Sequence, residues 1–442
     1  MLIREASRIR ELHFIAPITR DLPSFLTSFD ASALQHCLLS AERGSDSLTR
    51  NNARFFPFFS GQGSSLRSLC FHDISVLPAN TFPCLTLMVI RLKPNDNYPV
   101  NWDLYDLVNF LSGSPRLEEI YIGDISWRME QVSFSLVPVV RAPLSLPRLR
   151  YLSLTYSARA TESASHVVEH LLSRLIIPPS CHLYFKARGG PRNINQVLLE
   201  SVRRHVAGRD AVSHVCFWIT EFSCDQSIQL VFPKGSLRLV FAASSFNPVR
   251  YAEDMFDLLC SFPQLFTETQ ELRVHYSENN LLRKLQPSLP AIFPNITALS
   301  LVPFLVPGYS GHASLTIGLE SLTELPEGER KVTWPALDTL WVSVTDKRDA
   351  TQLETALDFR ASRGHPIRHL TVRYDPRKKK GKGGVENKVP SFAAALEEHV
   401  KEITLMELSR HEPSREIDWM VRLPERYGLP SAFHRDWPSW NI

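Results

Sequence analysis

The sequence predicts an α/β solenoid: a parallel concave sheet with helices on its convex side, built from irregular repeats of about 25–33 residues. Three observations predict it. An apolar-x-x-apolar-x-apolar triplet recurs along the chain. Its middle position advances evenly, through 88, 120, 152, 183 and 215. The segments between triplets carry apolar residues at helical spacing, with prolines at the junctions.

The triplets run in order through middle positions Leu12, Cys37, Leu69, Met88, Ile120, Leu152, Leu183, Val215, Leu239, Leu272, Leu299, Leu340, Leu370 and Ile403. Those centred on Leu183, Leu239 and Leu272 are looser, with a polar first position (Ser180, Ser236, Thr269). Two apolar residues separated by one share a face of a short strand, and the third turns the chain in beneath them. A single strand cannot bury that face. Stacked parallel strands can, provided each return segment packs behind them. Returns are expected at 163–176, 193–206, 252–262, 350–364 and 389–400, and Pro83, Pro115, Pro147, Pro294, Pro335 and Pro366 stop a helix or open a strand.

The array is expected to fill residues 1–408, with three interruptions. "SIQLVFPKGSLRLVF" (227–241) reads as an inserted hairpin around a Pro-Lys-Gly turn, and 303–334 as a long Pro/Gly-rich loop. The basic run in 376–388 reads as a solvated loop able to serve as a nuclear import signal. Beyond 408 the rhythm is lost, so 409–442 is expected to cap the last unit, because terminal repeats expose an apolar end.

Composition narrows the function classes. The 442 residues are 44% hydrophobic and 21% charged, which suits a folded chain. Forty-nine basic against 46 acidic side chains leave a net charge of +3, so no global field favours nucleic acid or membrane. Seven cysteines without a C-x-x-C pair fit a reducing compartment, cytoplasmic or nuclear. No cofactor is implied, and a monomer is expected.

The enzyme-like string is "HVVEH", with His166, Glu169 and His170 spaced as in H-x-x-E-H zinc hydrolases. On a helical wheel the two histidines fall opposite Val168, Leu171, Leu172 and Leu175, on the solvent side, where no closed cavity would serve a catalytic metal. No catalytic or metal-ligating residue is assigned, and a zinc-dependent hydrolase stands as the alternative. "GQGSS" and "KKKGKGG" lack the glycine spacing and hydroxyl of phosphate-binding loops.

The segments "SSLRSLCFHDI", "FPCLTLMVIRL", "SPRLEEIYIGDI", "LPRLRYLSLTY" and "WPALDTLWVSV" share a form: proline or serine, leucine, a polar pair, then the rest of the apolar triplet. In this texture residues 6–408 resemble the leucine-rich repeats of fungal F-box proteins. The resemblance implies that the repeats recognise a protein, while an amino-terminal F-box helical module recruits the adaptor of a cullin-type ubiquitin ligase. Ile125 and Ser157 stand where such repeats carry asparagine or cysteine, and the ~32-residue step exceeds their usual 20–29. Ile9 already opens the first triplet, so a ligase adaptor is an expected partner only if an F-box lies upstream. A truncated or vestigial product without a partner is a further alternative.

Residues flanking each middle position should point to the concave surface. Tyr121, Tyr151, Tyr184 and Trp218 are expected side by side there, with Arg273, His275, Trp341 and Arg373 further along. Tyr, Trp and Arg carry much of the binding energy at protein interfaces, so these eight are the candidate partner-binding residues. The expectation is a non-enzymatic protein-binding scaffold.

Overall fold

The computed structural model describes residues 7–17, 22–30, 32–42, 55–61, 63–72, 74, 76–91, 104–125, 143–157, 171–188, 209–219, 225–242, 259–260, 262–276, 288–303, 315–323, 332–344, 347–374 and 392–407. The chain divides into two compact units, 1–209 with 421–442, and 210–420.

In the first unit, strands β1 (Glu11–Pro17) and β2 (His36–Glu42) are followed by β3 (Phe55–Phe56), β4 (Ser68–His72), β5 (Leu77–Pro78) and β6 (Leu87–Arg91). β7 (Glu119–Ile125), β8 (Leu144–Ser145), β9 (Tyr151–Ser157), β10 (Leu175–Ile176) and β11 (His182–Arg188) complete it. The main sheet runs β1-β2-β4-β6-β7-β9-β11. Every neighbouring pair in it is parallel, and the middle triplet residues meet: Leu12 faces Cys37, then follow Leu69, Met88, Ile120, Leu152 and Leu183. All seven are 5% exposed or less. Each buried leucine contributes about 2 kcal/mol, so a one-residue slip that turned this row outward would be heavily penalised.

The approach to each strand repeats as well. The N–H groups of Leu66, Leu85, Leu117, Leu149 and Cys181 donate to the carbonyl three residues back at 2.9–3.2 Å. Pro83, Pro115, Pro147 and Pro179 occupy the second position of four of these turns, where their fixed φ is pre-set. One carbonyl per repeat then accepts two successive N–H groups of the next: Arg10 from Gln35 and His36, Gln35 from Arg67 and Ser68, Arg67 from Thr86 and Leu87, Thr86 from Glu118 and Glu119, at 2.8–3.0 Å. On the return side, β3 pairs with β5 and β10 with β8, both parallel.

Behind the sheet lie α1 (Leu22–Ser28) and α2 (Leu104–Ser112). α2 buries Leu107, Phe110 and Leu111, spaced by three and one, on one helical face. Successive returns contribute Phe29, Phe59, Phe82 and Phe110, whose ring centroids lie 6.0–6.3 Å apart in sequence. This aromatic row fills the space beneath the strands. Gly113 follows α2 where an added Cβ would collide with the Thr81 side chain, so a larger residue would force the chain there to shift.

The second unit contains β12 (His214–Ile219), β13 (Asp225–Val231), β14 (Ser236–Ala242), β15 (Glu271–Tyr276), β16 (Ala298–Pro303), β17 (Thr339–Val344), β18 (His369–Tyr374) and β19 (Glu402–Glu407). Its order is β14-β13-β12-β15-β16-β17-β18-β19. From β12 through β15 to β19 the pairs are parallel, and Val215, Leu272, Leu299, Leu340, Leu370 and Ile403 stand opposite one another. Shared carbonyls recur here too, from Gln270 to Thr297 and Ala298 and from Asp338 to Arg368 and His369.

Over the stretch read as a hairpin, β13 and β14 are antiparallel, so Leu239 on β14 lies outside the parallel series that its triplet alone suggests. The reason is the turn. Phe232 to Gly235 close the connection, with Gly235 at φ +89°, and a connection so short admits only antiparallel pairing. The sheet of this unit is therefore mixed.

Helices α3 (Leu289–Ile292), α4 (Leu315–Thr323), α5 (Lys347–Ser362) and α6 (Ala393–Glu397) complete the unit. α4 corrects the long loop expected over 303–334: Leu315, Leu319 and Leu322 form a helical stripe buried to 2% or less. Its Gly318 lets the helix approach β16, since a Cβ would sit 3.0 Å from Leu301 Cδ1. α5 covers most of the return expected at 350–364. The returns at 163–176, 193–206 and 252–262 lie largely or wholly outside the described residues, as do the basic loop 376–388 and the tail 409–442.

Candidate binding face

Each strand buries its triplet on one face, and alternation delivers the intervening residues to the opposite, open face. In the first unit the central row of that face is His13, Leu38, Cys70, Val89, Tyr121, Ser153 and Tyr184. Leu38, Cys70 and Val89 join Leu87 in a buried apolar cluster, and Tyr121 packs against it. Tyr184 is also buried, at 6% exposure, and presents little surface.

The adjacent row, Glu119, Tyr151 and His182, is polar. The Tyr121 hydroxyl donates to Glu119 Oε2 at 2.9 Å, and the Tyr151 ring stacks on His182 at 4.9 Å. Burial raises the Glu119 carboxyl above its usual range, partly opposed by the Tyr121 hydrogen bond. Burial also lowers His182, with Arg209 and Arg150 adding to the effect. The half-buried Tyr121 and Tyr151 thus sit in a patch biased toward neutrality.

In the second unit the central row reads Arg238, Gln229, Cys216, Arg273, Ser300, Trp341, Thr371 and Thr404. Glu271 organises one part of it: its carboxylate accepts from Arg273 Nε at 2.6 Å and lies 3.3 Å from His214 Nε2. Arg273 then extends over the small Ser300, placing its guanidinium carbon 5.6 Å from the Trp341 ring centroid. That geometry is a cation–π contact, possible because the strand between them carries no bulky side chain. Trp341 remains 36% exposed.

His275 is next along β15 on the same face. Burial, then Arg273 and Arg373, bring it down to about 4, so it is neutral at pH 7. Cys216 is pushed up to about 12 by burial, which leaves an inert thiol. Among the described residues, the buried atoms of this face without a hydrogen-bond partner include both Nε2 and Oε1 of the Gln229 amide and the Ser343 hydroxyl. Ser343 stands directly opposite Arg373.

The structure therefore brings Tyr121, Tyr151 and Tyr184 onto neighbouring strands of one unit, and Arg273, His275, Trp341 and Arg373 onto one face of the other. Trp218 belongs to β12 of the second unit, opposite His275, and its side chain lies outside the described residues. Sequence reasoning missed Arg238, Gln229 and Ser343. The period-two pattern of "SLRLVF" carried the signal for Arg238, since Ser236, Arg238 and Val240 alternate with buried Leu237 and Leu239.

His166, Glu169 and His170 lie outside the described residues. Among the described residues no three His, Cys, Asp or Glu side chains are grouped to hold a metal ion. No described helix is long and apolar enough to cross a membrane. Compared with known proteins, the chain matches no family model and no curated protein sequence.

Proposed function

We propose that the chain is a non-enzymatic scaffold, a solenoid of irregular leucine-rich repeats that binds a protein partner on the open faces of its strands. It acts in the manner of the substrate-recognition repeats of an F-box protein, and recruiting a ligase adaptor would require an F-box module in addition. The carrying observation is the recurrence, strand after strand, of one turn, one shared carbonyl and one buried anchor, which leaves the intervening side chains as the variable part of each repeat. Those side chains include Tyr121, Tyr151, Arg273 and Trp341, the residue types that dominate interface energetics. The buried free thiols of Cys37, Cys70, Cys181 and Cys216 fit a reducing compartment, in the cytoplasm or nucleus.

Affinity capture with the full chain tests this reading. One reproducible protein partner is expected, and Tyr151→Ala and Trp341→Ala should each weaken it roughly tenfold or more. Capture of no partner, or a partner indifferent to both substitutions, would contradict the proposal.

A further inference from the structure

We propose that the open face of the second unit receives an acidic peptide segment, with a carboxylate side chain held between Arg273 and Arg373 and the adjoining residue against Trp341. This rests on reading that face as a protein-binding surface and adds the chemistry of the partner. Arg273 already reaches β17, where its guanidinium lies over the Trp341 ring. Arg373 rises from β18, one strand spacing of about 4.8 Å away, and stands opposite Ser343.

Charge is divided along these strands. Glu271, Asp338 and Glu402 lie toward the N-terminal ends, bonded to Arg273 and His214, to Arg368, and to His369. Among the described residues, the rows through Trp341 and through Ser343 and Arg373 carry no Asp or Glu. The C-terminal half of the face is therefore basic around an exposed indole. His275 senses the same field, since Arg273 and Arg373 both disfavour a further positive charge at its ring.

The Ser343 hydroxyl is the second, independent observation. It is a donor in a residue only 2% exposed, with no acceptor, beside an arginine. A carboxylate entering from the partner would accept from both. An aromatic or aliphatic neighbour in the peptide would cover the indole left exposed, and the positive field would steer the acidic segment toward it.

Selection of a randomised linear peptide library on the full chain tests the proposal, followed by fluorescence anisotropy titration of the enriched peptides. Enriched sequences should carry an excess of Asp and Glu next to apolar residues. Arg273→Gln and Arg373→Gln should weaken them roughly tenfold or more, Arg373→Lys should retain most of the affinity, and Ser343→Ala should cost a few fold. Peptides without acidic excess, or affinities indifferent to Arg373→Gln, overturn this inference and leave the protein-binding reading standing. Recovery of no peptide and no protein partner overturns both. Single-stranded RNA that binds with the same arginine dependence, in place of any peptide, also overturns it.

Discussion

His275 illustrates how a residue's neighbours set its chemistry. In the unfolded chain it takes up a proton near its ordinary 6.5, and in the folded chain only near 4, because burial and two arginines oppose the charge. Above the unfolded value neither state holds the proton and the full stability is present. As pH falls from 6.5 toward 4 the unfolded state protonates first, and stability declines by up to about 3 kcal/mol. His36 and His182, also lowered chiefly by burial, act in the same direction. His275→Gln should therefore narrow the gap between urea midpoints measured at about pH 7 and about pH 4.5. An unchanged gap would show that His275 is not held neutral by the fold. Period-two alternation was enough to place His275, Arg273 and Trp341 on one face. Their ionisation was not legible, because it depends on what neighbouring strands contribute. The same holds for Leu38, Cys70, Val89 and Tyr184, which alternation assigns to the open face and packing buries.

At the level of elements, Arg360 joins α5 to the segment that leads into β17. Its side chain is fully buried and donates from Nη1 to the Thr333 carbonyl at 2.8 Å and from Nη2 to the Trp334 carbonyl at 3.0 Å. Trp334 has a left-handed backbone, φ +48°, directly before Pro335, a conformation that costs of order 1–3 kcal/mol and persists only where surroundings fix it. Its indole N–H donates to the Phe293 carbonyl at 2.7 Å, so the side chain of Trp334 is held as well as its carbonyl. Arg360→Ala should lower stability by about 3–5 kcal/mol, through a cavity and the loss of both hydrogen bonds, although the Trp334 carbonyl keeps the Leu337 N–H, and Arg360→Lys by less. Urea unfolding checks this, and a loss below about 1 kcal/mol would remove Arg360 from its bracing role. Nothing in the amino-acid pattern announced this brace: an arginine in a helix normally reads as solvent-facing, and only the fold supplies the two carbonyls. The α5 helix itself was legible from its spacing. α4 was hidden because its leucine stripe sits in a stretch dominated by proline and glycine.

Across the molecule, both units use the same local grammar: a turn closed on the residue that opens the triplet, a shared carbonyl, and a strand whose middle residue meets its counterpart in the next repeat. The run of middle positions was readable because it is a local property that every parallel strand must satisfy to bury one face. Leu239 carries the same pattern yet pairs antiparallel, as the Pro-Lys-Gly turn ahead of it indicates, since a triplet specifies a strand and the connection specifies its direction. The rungs are thus written in the sequence, while their order and direction emerge from the connections between them.

Methyl–methyl nuclear Overhauser contacts in a chain labelled at Ile, Leu, Val and Met methyl groups test that claim most directly. The account predicts contacts between Met88 and Ile120, Ile120 and Leu152, and Leu152 and Leu183 in the first unit, and between Leu272 and Leu299 and Leu340 and Leu370 in the second. Absence of these contacts, or contacts that skip from Ile120 to Leu183, would contradict it.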